Sequence, residues 1–451
     1  MLGKGSGGFF TIISPRPLNS TSPMSQAQLN IGIFGHYGNQ NLGDEATIEA
    51  VVQNLRQRLP EARLYGFSVV PSDTSQRYNI PAYGIRYTPP KPLSSEQSIA
   101  LEKAKRNARR QILRTSLKRF SVLGFALKAV WRISQECKFL WVSYRRLKGF
   151  RLLLIAGSNQ FLDNFGGTWG FPYTLLKWSL LAKLVGAKLV FASVGAGPLE
   201  SPLSRFLVRT ALRFSDHTSF RDAASKHLIE TSGFRDRGDV FPDLAHALLV
   251  QASPPHTPKS RLPVVGINPM PVYDPRYWCL PETEKYQSYV GRLAAFVSAL
   301  LQEGYPVRFF NTMPKDENVI HDVLASLAPD VKPLTDGVTR LSRSVAELMA
   351  TYASFDLVVA TRFHGILLSL LAERPVLGIC YHRKSRDLLI EAGEGDYAVE
   401  LESFTLEDLM SRFKALEANR FAELSKIRKK NAEYRTALHR QFDLIAAKLN
   451  A

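Results

Sequence analysis

The segment from residue 31 to residue 55 constrains the fold of this chain most strongly. Its apolar run 31–34 ends in a loop of glycines and asparagines, and apolar residues then recur at helical spacing from about Asp44. This order predicts a buried strand, a tight loop and a helix, the opening unit of a nucleotide-type α/β fold. Such a loop usually lines a ligand site, because ligands bind outside the carboxyl ends of parallel strands.

The loop lacks the G-x-G-x-x-G spacing of dinucleotide-binding folds. Asp44 and Glu45 fall in the first helical turn, where carboxylates satisfy the helix N-terminus and would repel a phosphate. The loop is therefore predicted to meet hydroxyl groups or to shape a cleft. An ordinary strand-to-helix turn with N-terminal acidic residues explains the same pattern equally well.

Length and charge bound the class of protein. A chain of 451 residues exceeds one ordinary core and predicts about two domains with insertions. The net charge of +18 favours an anionic partner such as a phosphorylated substrate or an acidic lipid. Cys137, Cys279 and Cys380 lack metal-ligand spacing, which argues for a reducing compartment and against a disulfide scaffold or a metal site.

The positive charge is concentrated in the segment 95–150, which contains no proline and interleaves Lys and Arg with Trp131, Phe139 and Trp141. This pattern predicts basic helices inserted into the first domain, lying on an anionic membrane. The alternative is a helical pair packed on the domain with solvated basic residues. Binding to nucleic acid is not expected. Residues 1–28 are predicted to be a flexible tail, and no apolar window is long enough to predict a transmembrane helix.

Four further segments in the first half, at 152–156, 188–194, 217–220 and 239–241, are predicted strands. Polar or charged residues follow them, among them Ser158, Arg221 and Asp243. In a parallel sheet these residues would share one rim with the first loop. A proline-rich linker at 252–263 then separates the domain 29–251 from a second α/β set at 264–405, which a charged helical segment 406–451 follows. The predicted fold class is α/β, with two Rossmann-like domains facing across a cleft.

The second domain contains the strongest candidate site. A predicted strand ends at residue 360, and the helix after Arg362 and His364 has no acidic residue in its first turn. Free backbone N–H groups, a guanidinium and an imidazole would form a pocket for phosphate or carboxylate, and histidine can transfer a proton near neutral pH. A structural ion pair of Arg362 with a satisfied His364 is an equal alternative. Lys384 and Arg221, also at strand ends, would add positive charge.

The ordered motifs resemble those of the polysaccharide pyruvyl transferases, a family similar in fold to two-domain GT-B glycosyltransferases. The matching pieces are GHYGNQNLGDEA at 35–46, AGS at 156–158, SVGAG at 193–197, FRDAAS at 220–225, PD at 242–243, TRFHG at 361–365 and YHRK at 381–384. The chain departs from the family at 156–159, AGSN, where a glycine triplet is usual, at Phe363, where leucine is common, and at Gly365, where alanine is common.

The resemblance implies transfer of the enolpyruvyl unit of phosphoenolpyruvate onto a sugar, forming a pyruvate ketal and releasing phosphate. It assigns catalysis to His364 and Arg362. The implied donor-binding residues are Arg221, Arg362, Lys384 and Gly365. The implied residues of the acceptor cleft are Gly38, Asn41, Asp44, Ser158 and Asp243. No metal and no organic cofactor are expected, since phosphoenolpyruvate is a co-substrate.

The expected acceptor is a cell-surface glycan or its lipid-linked precursor. The expected location is cytoplasmic and peripheral, at the inner face of a membrane that the segment 95–150 contacts. Two alternatives remain at this stage: a GT-B glycosyltransferase that uses a nucleotide sugar, and a non-catalytic membrane-associated protein that binds glycans or anions. An assay with phosphoenolpyruvate against a panel of nucleotide sugars separates the two enzymatic alternatives.

Overall fold

The computed structural model of the chain describes residues 29–87, 121–234, 238–250, 261–278, 280–331 and 339–450. The predicted tail 1–28, the part 95–120 of the basic segment, most of the linker and Cys279 lie outside these residues.

The first half of the chain forms an eight-stranded sheet whose pairings are all parallel. Its order is β3-β2-β1-β4-β6-β7-β8, and β5 pairs with β6. The strands are β1 (Asn30–Phe34), β2 (Arg63–Ser68), β3 (Ala82–Gly84), β4 (Phe150–Ala156), β5 (Asn159–Phe161), β6 (Lys188–Ala196), β7 (His217–Phe220) and β8 (Asp239–Val240). The helices described in this half are α1 (Leu42–Arg58), α2 (Pro71–Tyr78), α3 (Ser121–Leu147), α4 (Phe171–Leu184), α5 (Pro202–Arg213) and α6 (Ala223–Thr231).

The second half forms a six-stranded parallel sheet in the order β11-β10-β9-β12-β13-β14. Its strands are β9 (Val265–Asn268), β10 (Val307–Phe310), β11 (Thr339–Arg340), β12 (Leu357–Ala360), β13 (Val376–Cys380) and β14 (Ala398–Glu400). Its helices are α7 (Thr283–Gln302), α8 (Asp316–Ala325), α9 (Val345–Ala353), α10 (Phe363–Leu371), α11 (Arg383–Ala392) and α12 (Leu406–Asn450). Short 3₁₀ turns lie at Gly167–Trp169, Leu244–Ala247 and Gly395–Tyr397.

Strand β4 shows why the apolar runs form buried parallel strands. Leu153 and Ile155 pack into the core beneath α4 and α5, whereas Leu152 and Leu154 pack into the core on the opposite face. A strand covered on both faces has no polar side, so its sequence is a continuous apolar run rather than an alternating one. The predicted strand 217–220 is confirmed, and the predicted strands 152–156 and 188–194 are confirmed, each with two further residues at one end.

Strand order reverses in each sheet at one place, between β1 and β4 in the first sheet and between β9 and β12 in the second. Loops that leave neighbouring strands in opposite directions open a crevice at such a point, where ligands of open α/β sheets bind. The loop after β1 and the loop after β12, both singled out by sequence, are therefore placed at these two positions.

Two helices join the halves. The apolar face of α1 packs into a core formed mainly by the second half through Leu42, Ala46 and Ala50. Helix α12 starts in the second core, with Leu409 and Phe413, and other apolar residues farther along it pack beneath the first sheet. The relative position of the halves therefore depends on apolar packing along both helices.

Helix α3, the described part of the basic segment, has two different sides. Phe139, Leu140 and Tyr144 pack against the first core, and Leu147 is fully buried in it. Trp131 and Trp141 point away from it, and more than half of each side chain is exposed. Among the described residues, no helix combines the length and apolarity needed to cross a bilayer.

Two buried carboxyl groups lie where α12 meets the second half. Glu394, just after α11, is fully buried, and Glu423 of α12 is nearly so. Burial and the neighbouring charge of Glu423 raise the pKa of Glu394 to about 8. In the folded protein Glu394 therefore keeps its proton up to about pH 8. In the unfolded chain, where the pKa of glutamate is about 4.3, the same group loses its proton at much lower pH.

We expect the free energy of unfolding to fall as the pH rises from about 4.3 towards 8, because the unfolded chain then binds fewer protons than the folded protein. The substitution Glu394→Gln mimics the protonated group, so it should flatten this decline and stabilise the protein at pH 8 by about 1 kcal/mol or more. Urea unfolding at pH 5 and pH 8 measures the effect, with the exposed Glu61→Gln as control. Equal slopes in the wild type and Glu394→Gln would contradict the assignment.

Candidate active site between the two sheets

The loop after β1 is held in shape by a buried carboxylate. Gly38 has a φ of +78°, and its N–H donates to Oε1 of Glu45 at 2.8 Å. Oε2 of Glu45 accepts the hydroxyl of Tyr78 at 2.6 Å. A Cβ atom on Gly38 would lie 2.6 Å from the carbonyl oxygen of Val70. Gly38 is buried and shapes this loop, and its N–H group is already used.

The start of α1 lies where the two halves contact each other, and this contact is called the seam below. The Asn41 side chain accepts the N–H of Gly43 at 3.2 Å and donates to Oδ2 of Asp44 at 2.8 Å. This cap begins the helix at Leu42, two residues before the predicted start. The backbone N–H of Leu42 donates to the carbonyl of Thr312 in the second half at 2.9 Å.

His364 packs directly on Gly43. A Cβ atom on Gly43 would lie 2.1 Å from Cγ of His364, so a side chain there is incompatible with the present position of the imidazole. The buried Nε2 atom of His364 has no hydrogen-bond partner among the described residues. One imidazole nitrogen is therefore left without a hydrogen-bond partner within the described residues.

Asp44 provides a carboxylate beside this histidine. Burial by itself would raise the pKa of Asp44, but hydrogen bonding to His36 and the charges of His364 and His36 outweigh burial and lower it. A hydrogen bond from Ser158, which has a φ of +58°, acts in the same direction. Asp44 is therefore ionised at neutral pH, at the place where the two halves meet.

Two cations from opposite halves converge on one neutral amide. Arg221, at the end of β7, donates to Oδ1 of Asn159 at 3.1 Å, and Nζ of Lys384 donates to the same oxygen at 2.7 Å. Asp222 and Asp243 lie 3.3 Å and 3.6 Å from the Arg221 guanidinium. Burial and the charge of Arg221 outweigh the attraction of Asp222 and lower the pKa of Lys384 to about 7. The neighbouring carboxylates therefore do not fully compensate the ammonium group, which an anionic ligand would stabilise.

Arg362 is paired with a buried carboxylate. Its Nε atom lies 2.7 Å from Oδ1 of Asp316, and Oδ2 of Asp316 accepts the N–H of Thr312 at 2.9 Å. Because Thr312 also meets Leu42, this ion pair holds the loop that contacts the first half. The structural ion pair considered for Arg362 on sequence grounds is thus present.

Helix α10 begins at the crevice without a side-chain cap and without an acidic residue in its first turn. The first N–H groups of a helix lack intrahelical partners and attract anions. Gly365 lets this helix approach β9, because a Cβ atom there would lie 2.3 Å from Oδ1 of Asn268. Gly365 therefore serves packing, whereas the N-terminal turn that contains it can bind an anion.

Phe363 connects the cation pair with the histidine. Cζ of Arg221 lies 4.8 Å from the centroid of the Phe363 ring, and this ring lies 5.3 Å from the imidazole of His364. A cleft of about 1140 Å³ opens beside them, lined from both halves by Arg221, Asp243 and Lys384 among others. This volume slightly exceeds the usual range for small-molecule sites.

The fold brings most of the sequence-predicted residues together. Asn41, Asp44, Ser158 and His364 form one group, and the second group consists of Arg221, Asp243 and Lys384. Gly38 and Arg362 are engaged within the protein as described above. Asp243 also caps a short turn, accepting the N–H of Ala245 at 3.0 Å. Among the described residues, no group of three or more potential metal-binding side chains occurs.

Sequence reasoning missed several residues of the site. His36 lies inside a quoted motif, so its position after a strand could have identified it, whereas Asn159 only follows the motif at 156–158. Asp316 and Asn268 carry no such signal, because their partners are distant in sequence: Asp316 is 46 residues from Arg362.

Comparisons with known proteins agree with this architecture. A family model described as "Polysaccharide pyruvyl transferase" matches residues 41–383. No curated protein matches the sequence significantly. The match to the family model begins at the last residue of the loop after β1, covers the loop after β12, and ends one residue before Lys384.

Several solved structures share the fold at low identity. The glycotransferase of kitacinnamycin has a TM-score of 0.52 at 12% identity, over 93% of this chain and 99% of that one. The UDP-GlcNAc 2-epimerase from Methanocaldococcus jannaschii has a TM-score of 0.51 at 8% identity, over 85% and 91%. A putative UDP-N-acetylglucosamine 2-epimerase from Listeria monocytogenes also gives 0.51, at 10% identity over 88% and 90%. This likeness confirms the predicted GT-B-like arrangement of two Rossmann-like halves.

We expect Gly43→Ala to destabilise the protein by about 1–3 kcal/mol, because the added Cβ would displace His364 and strain the seam between the halves. Gly291→Ala is the matched control, since a Cβ at that helical position in α7 meets nothing within 4 Å. Its removal of a helix-interior glycine should stabilise the protein by about 0.5–1 kcal/mol. Thermal unfolding of both variants measures the difference. An unchanged melting temperature in Gly43→Ala would show that His364 can move away freely.

Proposed function

The chain belongs to the polysaccharide pyruvyl transferase family, and on this premise we propose that it transfers the enolpyruvyl unit of phosphoenolpyruvate onto a sugar. The product is a pyruvate ketal, and phosphate is released. The proposed acceptor is a cell-surface glycan or its lipid-linked precursor.

The observation that carries this proposal is the convergence of Arg221 and Lys384 on Asn159. Phosphoenolpyruvate has two anionic groups, a phosphate and a carboxylate, that must be held together. The cation pair and the uncapped first turn of α10 offer two anion-binding elements, one on each side of Phe363. We therefore assign donor binding to these two elements, with Arg362 contributing any guanidinium N–H that Asp316 leaves unused.

The proposed chemistry begins with His364. Its imidazolium transfers a proton to the methylene carbon of phosphoenolpyruvate while a first sugar hydroxyl attacks the adjacent carbon. The bond from this carbon to the phosphate oxygen then breaks, and phosphate leaves with the electron pair and with the proton of the first hydroxyl. A second hydroxyl attacks the resulting oxocarbenium carbon and returns its proton to His364, which closes the ketal.

Asp44 suits the role of orienting these hydroxyls. Its carboxylate is ionised, lies beside His364 and accepts hydrogen bonds, as a group that positions a sugar hydroxyl must. Asn41 and Ser158 hold this carboxylate in place, and Asp243 lies at the neighbouring cation pair.

We also propose that the protein acts at the inner face of a membrane, where the basic segment 95–150 contacts anionic lipid. The exposure of Trp131 and Trp141 on α3 supports this location, because Trp side chains favour the boundary between lipid and water.

For the donor site, we expect Lys384→Met to weaken binding of phosphoenolpyruvate by roughly 2–5 kcal/mol, since a partly buried cation facing an anion is removed. Wild-type affinity should fall as the pH rises through about 7, because the free Lys384 ammonium loses its proton there. Lys384→Arg should bind without this fall. Calorimetry between pH 6.5 and 8.5 tests both, with Lys226→Met on α6 as control. Wild-type affinity in Lys384→Met would place the donor elsewhere.

For the proton transfer, we expect His364→Gln to lower ketal formation about 10²-fold or more while phosphoenolpyruvate still binds. The glutamine keeps a polar side chain of similar length but cannot shuttle a proton. His227→Gln, an exposed cleft residue, serves as control. Phosphate release and ketal formation are measured together. Wild-type turnover in His364→Gln, or turnover with a nucleotide sugar and none with phosphoenolpyruvate, would overturn the proposed reaction.

A further inference from the structure

Three helices cover one face of the first sheet and present an apolar outer surface. Helix α4 lies between α3 and α5 and contacts both. The exposed large apolar residues of this layer, including the loop before α4, are Val130, Trp131, Ile133, Trp141, Val142, Phe165, Trp169, Leu180, Leu184, Leu203 and Phe206. Trp169 and Leu184 are each 70% exposed. Exposed apolar side chains concentrated on one layer in this way are typical of a contact with a partner or a membrane.

The loop before α4 connects the parts of this surface. The Trp169 ring packs 5.5 Å from the ring of Tyr173, and the Tyr173 hydroxyl donates to Glu136 of α3 at 3.1 Å. On the other side, Thr168 lies 2.9 Å, hydroxyl to hydroxyl, from Ser204 of α5. Trp169 is therefore fixed between α3 and α5, and the apolar residues belong to one surface.

The charges of the layer are almost all positive. Helices α4 and α5 contain no acidic residue, and α5 carries Arg205, Arg209 and Arg213. Within the described residues, none of these arginines forms an ion pair with a carboxylate. The acidic residue of α3, Glu136, turns inward and pairs with Lys177 at 2.8 Å. The outer surface thus combines aromatic and aliphatic side chains with arginines that no described carboxylate neutralises.

We propose that this outer surface of α3, α4, α5 and the 165–169 loop, the helical face, docks on an anionic lipid bilayer. Apolar side chains enter the boundary between headgroups and acyl chains, and the arginines meet lipid phosphates. The inference rests on the proposed membrane location but extends the contact well beyond the basic segment, to α4, α5 and Trp169.

The same charges disfavour a second copy of the chain as the occupant. Two helical faces placed together would oppose the arginines of α5 and the basic residues of α3 without intervening carboxylates, and like charges at an interface are destabilising. Among the described residues, no side chain of α3, α4 or α5 lines the 1140 Å³ cleft, so docking leaves the cleft open.

The test is co-sedimentation of the full chain with vesicles of phosphatidylcholine alone or with about one third phosphatidylglycerol. The double variant Trp169→Ser with Phe206→Ser should lower affinity for the anionic vesicles at least about tenfold, because two apolar side chains no longer enter the boundary. Wild-type binding should decrease only partly at high salt, since burial of apolar groups is not screened.

Two leucines on opposite faces of the first sheet provide a matched control. Leu203 of α5 is 47% exposed on the helical face, whereas Leu444 of α12 is 44% exposed on the other face. Leu203→Ser should weaken vesicle binding and Leu444→Ser should leave it unchanged. Equal effects of these two substitutions would overturn the proposal.

Further arms separate this inference from its alternatives. Replacing residues 95–120 by a short linker should leave residual vesicle binding, and Trp169→Ser in that background should abolish it. If the replacement alone removes all vesicle binding, the contact belongs to the basic segment and the role of the helical face is overturned. A dimer that Trp169→Ser dissociates, without vesicle binding, would also overturn it. Calorimetry with phosphoenolpyruvate on the same variants should match the wild type. If the wild type binds vesicles but not phosphoenolpyruvate, the helical face stands while the proposed reaction fails.

Discussion

The contact between Gly43 and His364 is the constraint on which the site depends. It places the loop of the first switch point against the loop of the second with no room for a side chain between them. The backbone bond from Leu42 to Thr312 and the apolar face of α1 fix the same approach over a larger area. The imidazole, the Asp44 carboxylate and the cation pair are near one another because these loops meet, although their residues lie far apart in sequence.

The electrostatics of the crevice follow from which charges are already matched. Glu45 and Asp316 are fully buried, and each already has partners within the protein. Glu45 accepts hydrogen bonds from Gly38 and Tyr78. Asp316 accepts hydrogen bonds from Thr312 and Arg362. Lys384 is the opposite case, since burial and the charge of Arg221 lower its pKa to about 7 and Asp222 offsets them only in part. A site for a dianionic ligand benefits from a preformed cation that no protein carboxylate neutralises. Otherwise the ion pairs between the cation and these carboxylates would have to break each time a ligand binds.

Sequence predicted the central strands and the two strand-end loops well, because buried parallel strands are continuous apolar runs and their ends carry polar residues. It did not predict β2, β3, β5, β11 and β14, which lie at or near the sheet edges or are short. It also identified His364, Asp44, Arg221 and Lys384 as neighbours. It did not decide between a ligand-binding and a structural Arg362, since that depends on Asp316, a residue with no local pattern. Asn159 was missed for a related reason: an asparagine after a strand is common, and its role arises only when cations from both halves reach it. Gly38 was placed in the cleft by its motif, whereas its N–H is taken by Glu45.

Phe363, where the family commonly has leucine, shows how one side chain can tie the two halves of the site together. Its ring lies under the Arg221 guanidinium and beside the imidazole of His364. A guanidinium over an aromatic face gains electrostatic attraction that an aliphatic side chain does not provide, which matters for an arginine that is almost fully buried. The ring also fills the space between the cation pair and the first turn of α10. A leucine there would leave Arg221 to be positioned by Asn159, Asp222 and Asp243 alone, so the distance between the two anion-binding elements would be less tightly fixed. In the proposed donor the spacing of phosphate and carboxylate is itself fixed, so under that proposal Phe363 would favour one donor geometry and leave the acceptor side of the cleft free to vary.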